Sequence, residues 1–140
     1  MAKSKTRKKD IESVTVLRFS DEHLWVRAEG GRAQLGISDQ GQEEIGEVIA
    51  VELPDIGDSI EKGELFGELE SVRTVRELIA PVSGIVRAVN GDLEDHASLA
   101  NEDPYHEGWL IEVELADEDE LEELMATEDY EEFVAGDEDD

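Results

Sequence analysis

The side chains that could do chemistry are few in type in this 140-residue chain. It contains no cysteine, which excludes disulfides, thiolate zinc sites and cysteine nucleophiles. Its histidines are His23, His96 and His106, and imidazole together with carboxylates such as Asp95 or Glu107 suits several divalent metal ions. Their spacing is not that of a metal-binding motif, so no metal site is predicted, and His23, just before a strand, is given a structural role.

Recognisable catalytic motifs are also missing from the sequence. Neither a phosphate-binding glycine loop followed by Lys and Ser or Thr nor a serine triad can be assembled. Carboxylates are so abundant that closeness in sequence predicts no acid–base pair. We therefore expect a protein with no catalytic residues of its own, which is not an enzyme.

The charge is strongly acidic, with 39 Asp and Glu against 12 Lys and Arg and a net charge of −27. Nucleic-acid binding needs basic surface, so no nucleic-acid partner is expected. An acidic surface favours basic partner surfaces and, through self-repulsion, a monomer, and it is also typical of proteins from saline cytoplasm. Basic residues cluster only in the segment 1–12, which is predicted to be a flexible tail: Lys3, Lys5, Arg7, Lys8 and Lys9.

No apolar run is long enough to cross a bilayer, and the N-terminus lacks the apolar segment of a secretory signal. We therefore expect no membrane association and a cytoplasmic location.

Residues 13–136 read as one mainly β domain, because many short apolar runs are separated by glycine. The clearest signal is a hairpin in which residues 25–29 meet residues 32–37 across Gly30-Gly31. Further strands are predicted at residues 14–19, 48–53, 65–69, 76–79, 84–89 and 109–115. The stretch 90–107 is predicted to be rich in loops.

Helices are expected to be short. One is predicted to be capped by Asp39 with Gln42 and to end at Gly46. Two more are predicted within residues 117–135, ahead of a disordered acidic end at 137–140. The first would be capped by Asp117, with Leu121, Leu124 and Met125 on one face; the second would be capped by Thr127, with Tyr130, Phe133 and Val134 on its inner side.

Several blocks, taken in order and spacing, resemble one family over most of the chain. They are His23-Leu24-Trp25-Val26, Gly36-Ile37-Ser38-Asp39, Gly46-Glu47-Val48, Val51-Glu52-Leu53-Pro54-Asp55-Ile56-Gly57, Lys62-Gly63-Glu64, Glu70-Ser71-Val72, Ala80-Pro81-Val82-Ser83-Gly84, Asn101-Glu102-Asp103-Pro104-Tyr105 and Glu107-Gly108-Trp109-Leu110-Ile111. The chain resembles the H proteins of the glycine cleavage system.

The resemblance implies a flattened β barrel of the biotinyl/lipoyl-carrier type (a hybrid barrel-sandwich), with helices added at the chain ends. In the family, a lysine at the tip of a hairpin carries lipoate through an amide bond. The lipoyl group visits a pyridoxal-phosphate glycine decarboxylase, a tetrahydrofolate-dependent aminomethyltransferase and a dihydrolipoyl dehydrogenase. The carrier holds the aminomethyl group and presents it at high effective concentration.

This chain has Arg73 where the resemblance places the lipoyl lysine. Glu70 and Ser71 would flank the site and help the attaching enzyme to recognise it, or serve simply as polar turn residues. A guanidinium stays protonated and has no lone pair with which to attack an activated lipoyl ester, so covalent attachment is not expected. Lys62, the only lysine outside the tail, stands in a polar turn and is not expected to replace it. A biotin carrier would need a lysine with methionine neighbours at the same tip, and the methionines of this chain, Met1 and Met125, are far from residue 73 in the sequence.

Three interpretations stay open from the residues. The chain is an H protein homologue serving the glycine cleavage system, a non-lipoylated scaffold or regulator that docks lipoate-dependent enzymes, or a form in which arginine has replaced an original lysine. The residues after Arg73, Thr74-Val75-Arg76, also depart from the family's usual small residue and polar turn. This second departure favours a diverged branch over one isolated replacement.

Overall fold

The computed structural model describes residues 15–139, so the predicted basic tail at residues 1–12 and the final Asp140 lie outside the described residues. Two antiparallel sheets form the body. Six strands lie in the order β1-β2-β3-β9-β8-β5 and three in the order β4-β6-β7. The strands are β1 (Val16–Phe19), β2 (Leu24–Glu29), β3 (Arg32–Ile37), β4 (Val48–Glu52), β5 (Ser59–Ile60), β6 (Leu65–Ser71), β7 (Val75–Ile79), β8 (Gly84–Val89) and β9 (Ile111–Leu115).

The predicted hairpin across Gly30-Gly31 is confirmed, since β2 pairs antiparallel with β3 and Glu29 lies opposite Arg32. Both glycines have positive φ, 60° and 82°, which is the backbone geometry that a two-residue hairpin turn needs. The other strand predictions are confirmed within a few residues. The two-residue strand β5 was not predicted, because so short a strand leaves no alternating pattern to detect.

The inner faces of the two sheets share one apolar core, whose fully buried members include Leu35, Leu69, Leu78 and Ile111. A second cluster lies outside it, where Phe19, Trp25 and Tyr130 are buried together. Phe19 and Tyr130 stack with ring centroids 4.3 Å apart. The final helix is therefore attached to the β body through aromatic packing.

Four α-helices occur within residues 15–139: α1 (Asp39–Ile45), α2 (Asp92–Asp95), α3 (Leu99–Glu102) and α4 (Thr127–Asp139). The predicted end of α1 at Gly46 is confirmed, with φ of 81° there. The predicted N-cap was wrong by one residue: Ser38, not Asp39, caps α1, and its hydroxyl accepts from Gly41 N at 3.0 Å. The Asp39 carboxylate instead accepts from the Gln42 side chain at 2.9 Å.

The chain between residues 90 and 107 contains α2 and α3, so the expectation of a loop-rich stretch missed two helical turns. The segment after β9 also differs from the prediction. A 3₁₀ helix spans Glu118–Glu123, and Leu124 and Met125 lie beyond its end rather than on its face. Met125 instead pairs with Phe19, exchanging two backbone hydrogen bonds of 2.8 Å.

The final helix differs from its prediction at both ends. Thr127 is its first residue rather than a cap outside it, and the helix runs to Asp139, beyond the expected end at residue 135. The two predicted C-terminal helices therefore exist, with shifted bounds. Among residues 15–139, no helix is both long enough and apolar enough to cross a membrane.

Gly36 leaves room for the indole of Trp25, its partner across the β2–β3 ladder, because a Cβ added at Gly36 would lie 2.4 Å from the indole ring. We predict that Gly36→Ala lowers the free energy of unfolding by about 3 kcal/mol, since the ring is fully buried and cannot move aside. Chemical denaturation followed by tryptophan fluorescence measures this.

Gly91→Ala is the matched control, since nothing lies within 4 Å of its added Cβ and its φ is −67°. We expect it to change stability by less than about 0.5 kcal/mol. Equal effects of the two substitutions would contradict the steric explanation.

Candidate functional site

The tip of the β6–β7 hairpin presents Arg73. The two strands pair from Leu65↔Ile79 to Glu70↔Val75, and residues 72–74 connect β6 to β7 at the end of the ladder. Arg73 is exposed, and its neighbours Val72 and Val75 are 63% and 52% exposed. The sequence predicted a tight connection at this place, and the structure has one.

Ser71 holds the tip in shape. Its side chain is buried and its Oγ accepts hydrogen bonds from Arg73 N and Thr74 N, each 3.1 Å long. The same hydroxyl donates to Thr74 O at 3.1 Å, and Ser71 N donates to that carbonyl at 2.8 Å. A serine hydroxyl that satisfies two successive backbone N–H groups replaces the bonds that a longer ladder would have made.

The guanidinium of Arg73 lies against the C-terminal end of α1. Its Nη2 donates to Glu43 O at 3.2 Å. A Cβ added at Gly46 would lie 2.8 Å from Arg73 Nε, so the glycine supplies the room that this side chain occupies. A cation next to the free carbonyls of a helix C-terminus is favourable, since these groups carry partial negative charge.

A second arginine of the same hairpin also contacts α1. Arg76 Nη2 lies 3.0 Å from Glu44 Oε1, and Arg76 Nη1 donates to Glu22 O at 3.3 Å. Burial raises the pKa of Glu44, but hydrogen bonds from Gln40 and Arg76 and the nearby His23 outweigh it, so the pKa is lowered overall. Glu44 therefore stays ionised beside Arg76 at neutral pH.

The link from α1 to β4 is fixed by Asn101, whose side chain donates to Gly46 O at 2.8 Å and accepts from Val48 N at 2.8 Å. Between these two residues, the carbonyl of Glu47 accepts from Val72 N at 3.0 Å. The hairpin tip is thus hydrogen-bonded to backbone that Asn101 holds in place.

A buried polar network joins α1 to the final helix. The Tyr130 hydroxyl lies 2.7 Å from both His23 Nδ1 and Ser38 Oγ. Burial raises the pKa of Tyr130 to about 12, so the hydroxyl keeps its proton. His23 Nε2 faces Glu44 Oε2 at 3.6 Å, and His23 has a φ of 68°, which is unusual for a residue other than glycine. The structural role predicted for His23 is confirmed.

The other candidates lie apart from one another. His96 and His106 face different carboxylates, Glu102 at 3.5 Å and Asp103 at 3.3 Å. Within residues 15–139 no cluster of three or more potential ligands could hold a metal ion. Lys62 is ion-paired with Glu123 near the start of β6, separated from the tip by the length of that seven-residue strand, roughly 20 Å.

The chemistry available at the tip is hydrogen bonding and charge recognition, not acylation. A lysine here would offer an amine that can lose a proton and form an amide. Arg73 offers donors only, because a guanidinium is delocalised and has no nucleophilic lone pair. The residues at the tip therefore do not fit a covalently attached lipoyl group.

Comparison with known proteins places the chain in a family. The glycine cleavage H-protein family model matches residues 17–137. The glycine cleavage system H protein of Brevibacillus brevis is 51% identical over 118 residues, which are 84% of this chain and 94% of that protein. The H protein of Staphylococcus saprophyticus is 48% identical over 84% of this chain and 94% of its own length. The chain belongs to the glycine cleavage H-protein family.

A solved structure agrees with this assignment. The crystal structure of a glycine cleavage system H protein from Mycobacterium marinum matches with a TM-score of 0.78 and 30% sequence identity, over 85% of this chain and 96% of that one. The predicted fold class, a mainly β lipoyl-carrier-type barrel with short helices including two at the C-terminus, is therefore confirmed.

Sequence reasoning identified Glu70, Ser71 and Arg73 at the tip but missed the residues that hold the tip in place. Glu70 is exposed on the outer face of β6, whereas Ser71 is buried and organises the turn. Asn101 and Arg76 act from outside the hairpin turn. Asn101 belongs to one of the recognised blocks, which was a usable signal, whereas the contact of Arg76 with Glu44 has no counterpart in local sequence.

Ser71→Ala should loosen the tip without unfolding the domain. The substitution removes the hydroxyl that accepts hydrogen bonds from the backbone N–H groups of Arg73 and Thr74. We expect the free energy of unfolding to fall by about 1–2 kcal/mol and amide exchange at Arg73 and Thr74 to become faster. Hydrogen exchange followed by NMR measures this. Ser98→Ala, which removes an exposed hydroxyl bonded to Glu102, is the control and should leave exchange at the tip unchanged. Unchanged exchange in the Ser71 variant would contradict the assigned role.

Proposed function

We propose that this chain is a glycine cleavage H-protein homologue that is not lipoylated and that docks onto the lipoate-dependent enzymes of the system without carrying the aminomethyl group. Those enzymes are the pyridoxal-phosphate glycine decarboxylase, the tetrahydrofolate-dependent aminomethyltransferase and dihydrolipoyl dehydrogenase. The observation that carries the proposal is Arg73 at the exposed hairpin tip, where the resemblance expects the modified lysine.

The argument rests on the acyl-transfer step. Lipoylation joins a carboxyl carbon to an amine nitrogen that has lost a proton, and a guanidinium does not supply such a nitrogen. Lys62, which is the one lysine within residues 15–139, does not take its place, because it is ion-paired with Glu123 away from the tip. The chain thus acts as a binding protein rather than a catalyst or a carrier.

Retained docking is supported by the order at the tip. Ser71, the carbonyl of Glu47 and the end of α1 hold residues 71–74 through backbone and side-chain hydrogen bonds. A surface that is ordered before binding loses less entropy when a partner binds, which favours recognition. A chain that had lost all contact with its partners would gain nothing from an ordered tip.

The contacts of Arg73 and Arg76 favour a diverged branch over an isolated replacement of lysine. Both guanidinium groups contact α1, one at Glu43 O and the other at Glu44. Two arginines with partners on the same helix indicate that the hairpin and α1 have adapted to each other. Competition with lipoylated H proteins for the same enzymes is the regulatory role that such a protein can perform.

The mass of the natively expressed protein tests the absence of modification. We expect the intact mass to equal that of the sequence, with or without its first methionine, because no side chain at the tip carries an amine that could form the lipoyl amide. Electrospray mass spectrometry measures this, with a lipoylated H protein from the same cells as the positive control. A mass increment of one lipoyl group, located by peptide mapping, would overturn the proposal.

Replacing Arg73 by lysine tests whether the hairpin is still a carrier hairpin. We expect Arg73→Lys to acquire one lipoyl group from lipoate, ATP and a lipoate ligase, rising from none to near one per chain, since Glu70, Ser71 and the turn are in place. The wild-type chain and Lys62→Arg in the Arg73→Lys background are the controls; the first should stay unmodified and the second should still be modified. No addition to Arg73→Lys would contradict retained recognition of the hairpin.

A further inference from the structure

The outer face of the three-stranded sheet carries a row of like charges, which we call the carboxylate row: Glu52, Glu68 and Glu77. Glu68 on the central strand β6 lies directly opposite Glu52 on β4 and Glu77 on β7. Glu52 and Glu77 are exposed and Glu68 is half-buried between them. Side chains at such positions are about 5 Å apart, so three negative charges stand in one line across the sheet.

The six-stranded sheet arranges its charges differently. There, Arg87 lies 2.7 Å from Glu114, and Arg32 lies 3.3 Å from Glu112. In both cases an arginine and a glutamate on neighbouring strands neutralise each other. The carboxylate row has no such partner, since none of its members forms an ion pair or a side-chain hydrogen bond within the described part of the chain.

The row has a cost that the fold itself does not offset. Like charges directly opposite each other in a sheet destabilise it, whereas opposite charges contribute roughly 0.2–1 kcal/mol per pair. On the six-stranded sheet, by contrast, Glu112 and Glu114 each lie next to an arginine. A cationic group outside this chain would remove the repulsion.

Apolar side chains lie beside the row, toward the hairpin tip. Ile49, Val72 and Val75 are 51%, 63% and 52% exposed. Val75 lies opposite Glu70 in the last residue pair of the β6–β7 ladder before the tip. Exposed apolar side chains bordered by charges are typical of protein interaction sites, where an apolar centre is surrounded by a polar rim. The strand register places Val75 on the same face of the sheet as the row, and this face ends at the tip residues 72–74.

We propose that this face is the docking surface for a protein partner whose own surface presents Lys or Arg side chains in a line, next to an apolar patch. The inference rests on the proposed function, in which the partner is a lipoate-dependent enzyme, and it adds which surface the partner contacts. The basic line fits the carboxylate row and the apolar patch fits Ile49, Val72 and Val75. The hairpin tip then points into the partner beside this contact.

The test is competition between this chain and a lipoylated H protein. Glycine decarboxylase is supplied with the lipoylated H protein of Brevibacillus brevis, and inhibition of glycine decarboxylation by this chain is measured at low salt. The triple variant Glu52→Gln, Glu68→Gln, Glu77→Gln should need about tenfold more protein for the same inhibition, because three interface charges are lost. It should also unfold at the same or a higher temperature, because the repulsion within the row is gone.

The matched control changes the same net charge elsewhere. Glu128→Gln, Glu131→Gln, Glu132→Gln neutralises three exposed glutamates on α4. We expect this control to inhibit as well as the wild type. Equal loss in both triple variants would overturn the docking face and leave only the effect of total charge.

A second arm uses no enzyme, so that the two proposals can fail separately. The ¹⁵N-labelled chain is titrated with the synthetic peptide Lys-Leu-Lys-Leu-Lys, and amide shifts are followed by NMR. We expect the largest shifts in β4, β6 and β7, and their loss in the row variant. Shifts spread evenly over all acidic surfaces would overturn the docking face. A wild-type chain that fails to inhibit the decarboxylase but shows localised shifts would overturn the proposed function alone.

Discussion

The position of helix α1 is the constraint on which the hairpin tip depends. From one side, the hydroxyl of Tyr130 reaches its cap residue Ser38 at 2.7 Å. From another, Asn101 binds the backbone on both sides of the α1–β4 link. The hairpin then contacts α1 through Arg73 and Arg76. Helix α1 therefore lies between the hairpin tip and the two elements that contact its ends, the C-terminal helix and α3.

An arginine at the tip separates the structural role of the position from its chemical one. A cation beside the free carbonyls of α1 is favourable whether it is an ammonium or a guanidinium. The planar guanidinium makes the contact with Glu43 and still keeps donors for a partner, while it loses the ability to form an amide. The hairpin can therefore have the same fold with arginine as with lysine at this position.

The sequence predicted local features well and long-range contacts poorly, for physical reasons. Glycine pairs and alternating apolar residues report backbone geometry, so the hairpin at Gly30-Gly31 and the exposed tip at Arg73 were predictable. Ser38 and Asp39 are both residue types that cap helices well, so the sequence does not distinguish them. In the structure Ser38 is the cap, and its hydroxyl also contacts the Tyr130 hydroxyl, which is distant in the sequence. The pairing of His23 with Tyr130 spans 107 positions, a distance over which a single sequence carries no signal.

The acidity of the surface is not uniform, and its distribution bears on its origin. A saline environment would favour carboxylates on every exposed face, because hydration and screening act wherever the surface meets solvent. The six-stranded sheet nevertheless pairs Glu112 and Glu114 with arginines, whereas Glu68 faces glutamates on both sides. A general solvent effect does not distinguish two sheets of one molecule. What distinguishes the row is that its three glutamates lie directly opposite one another, and contact with a basic surface would remove their repulsion.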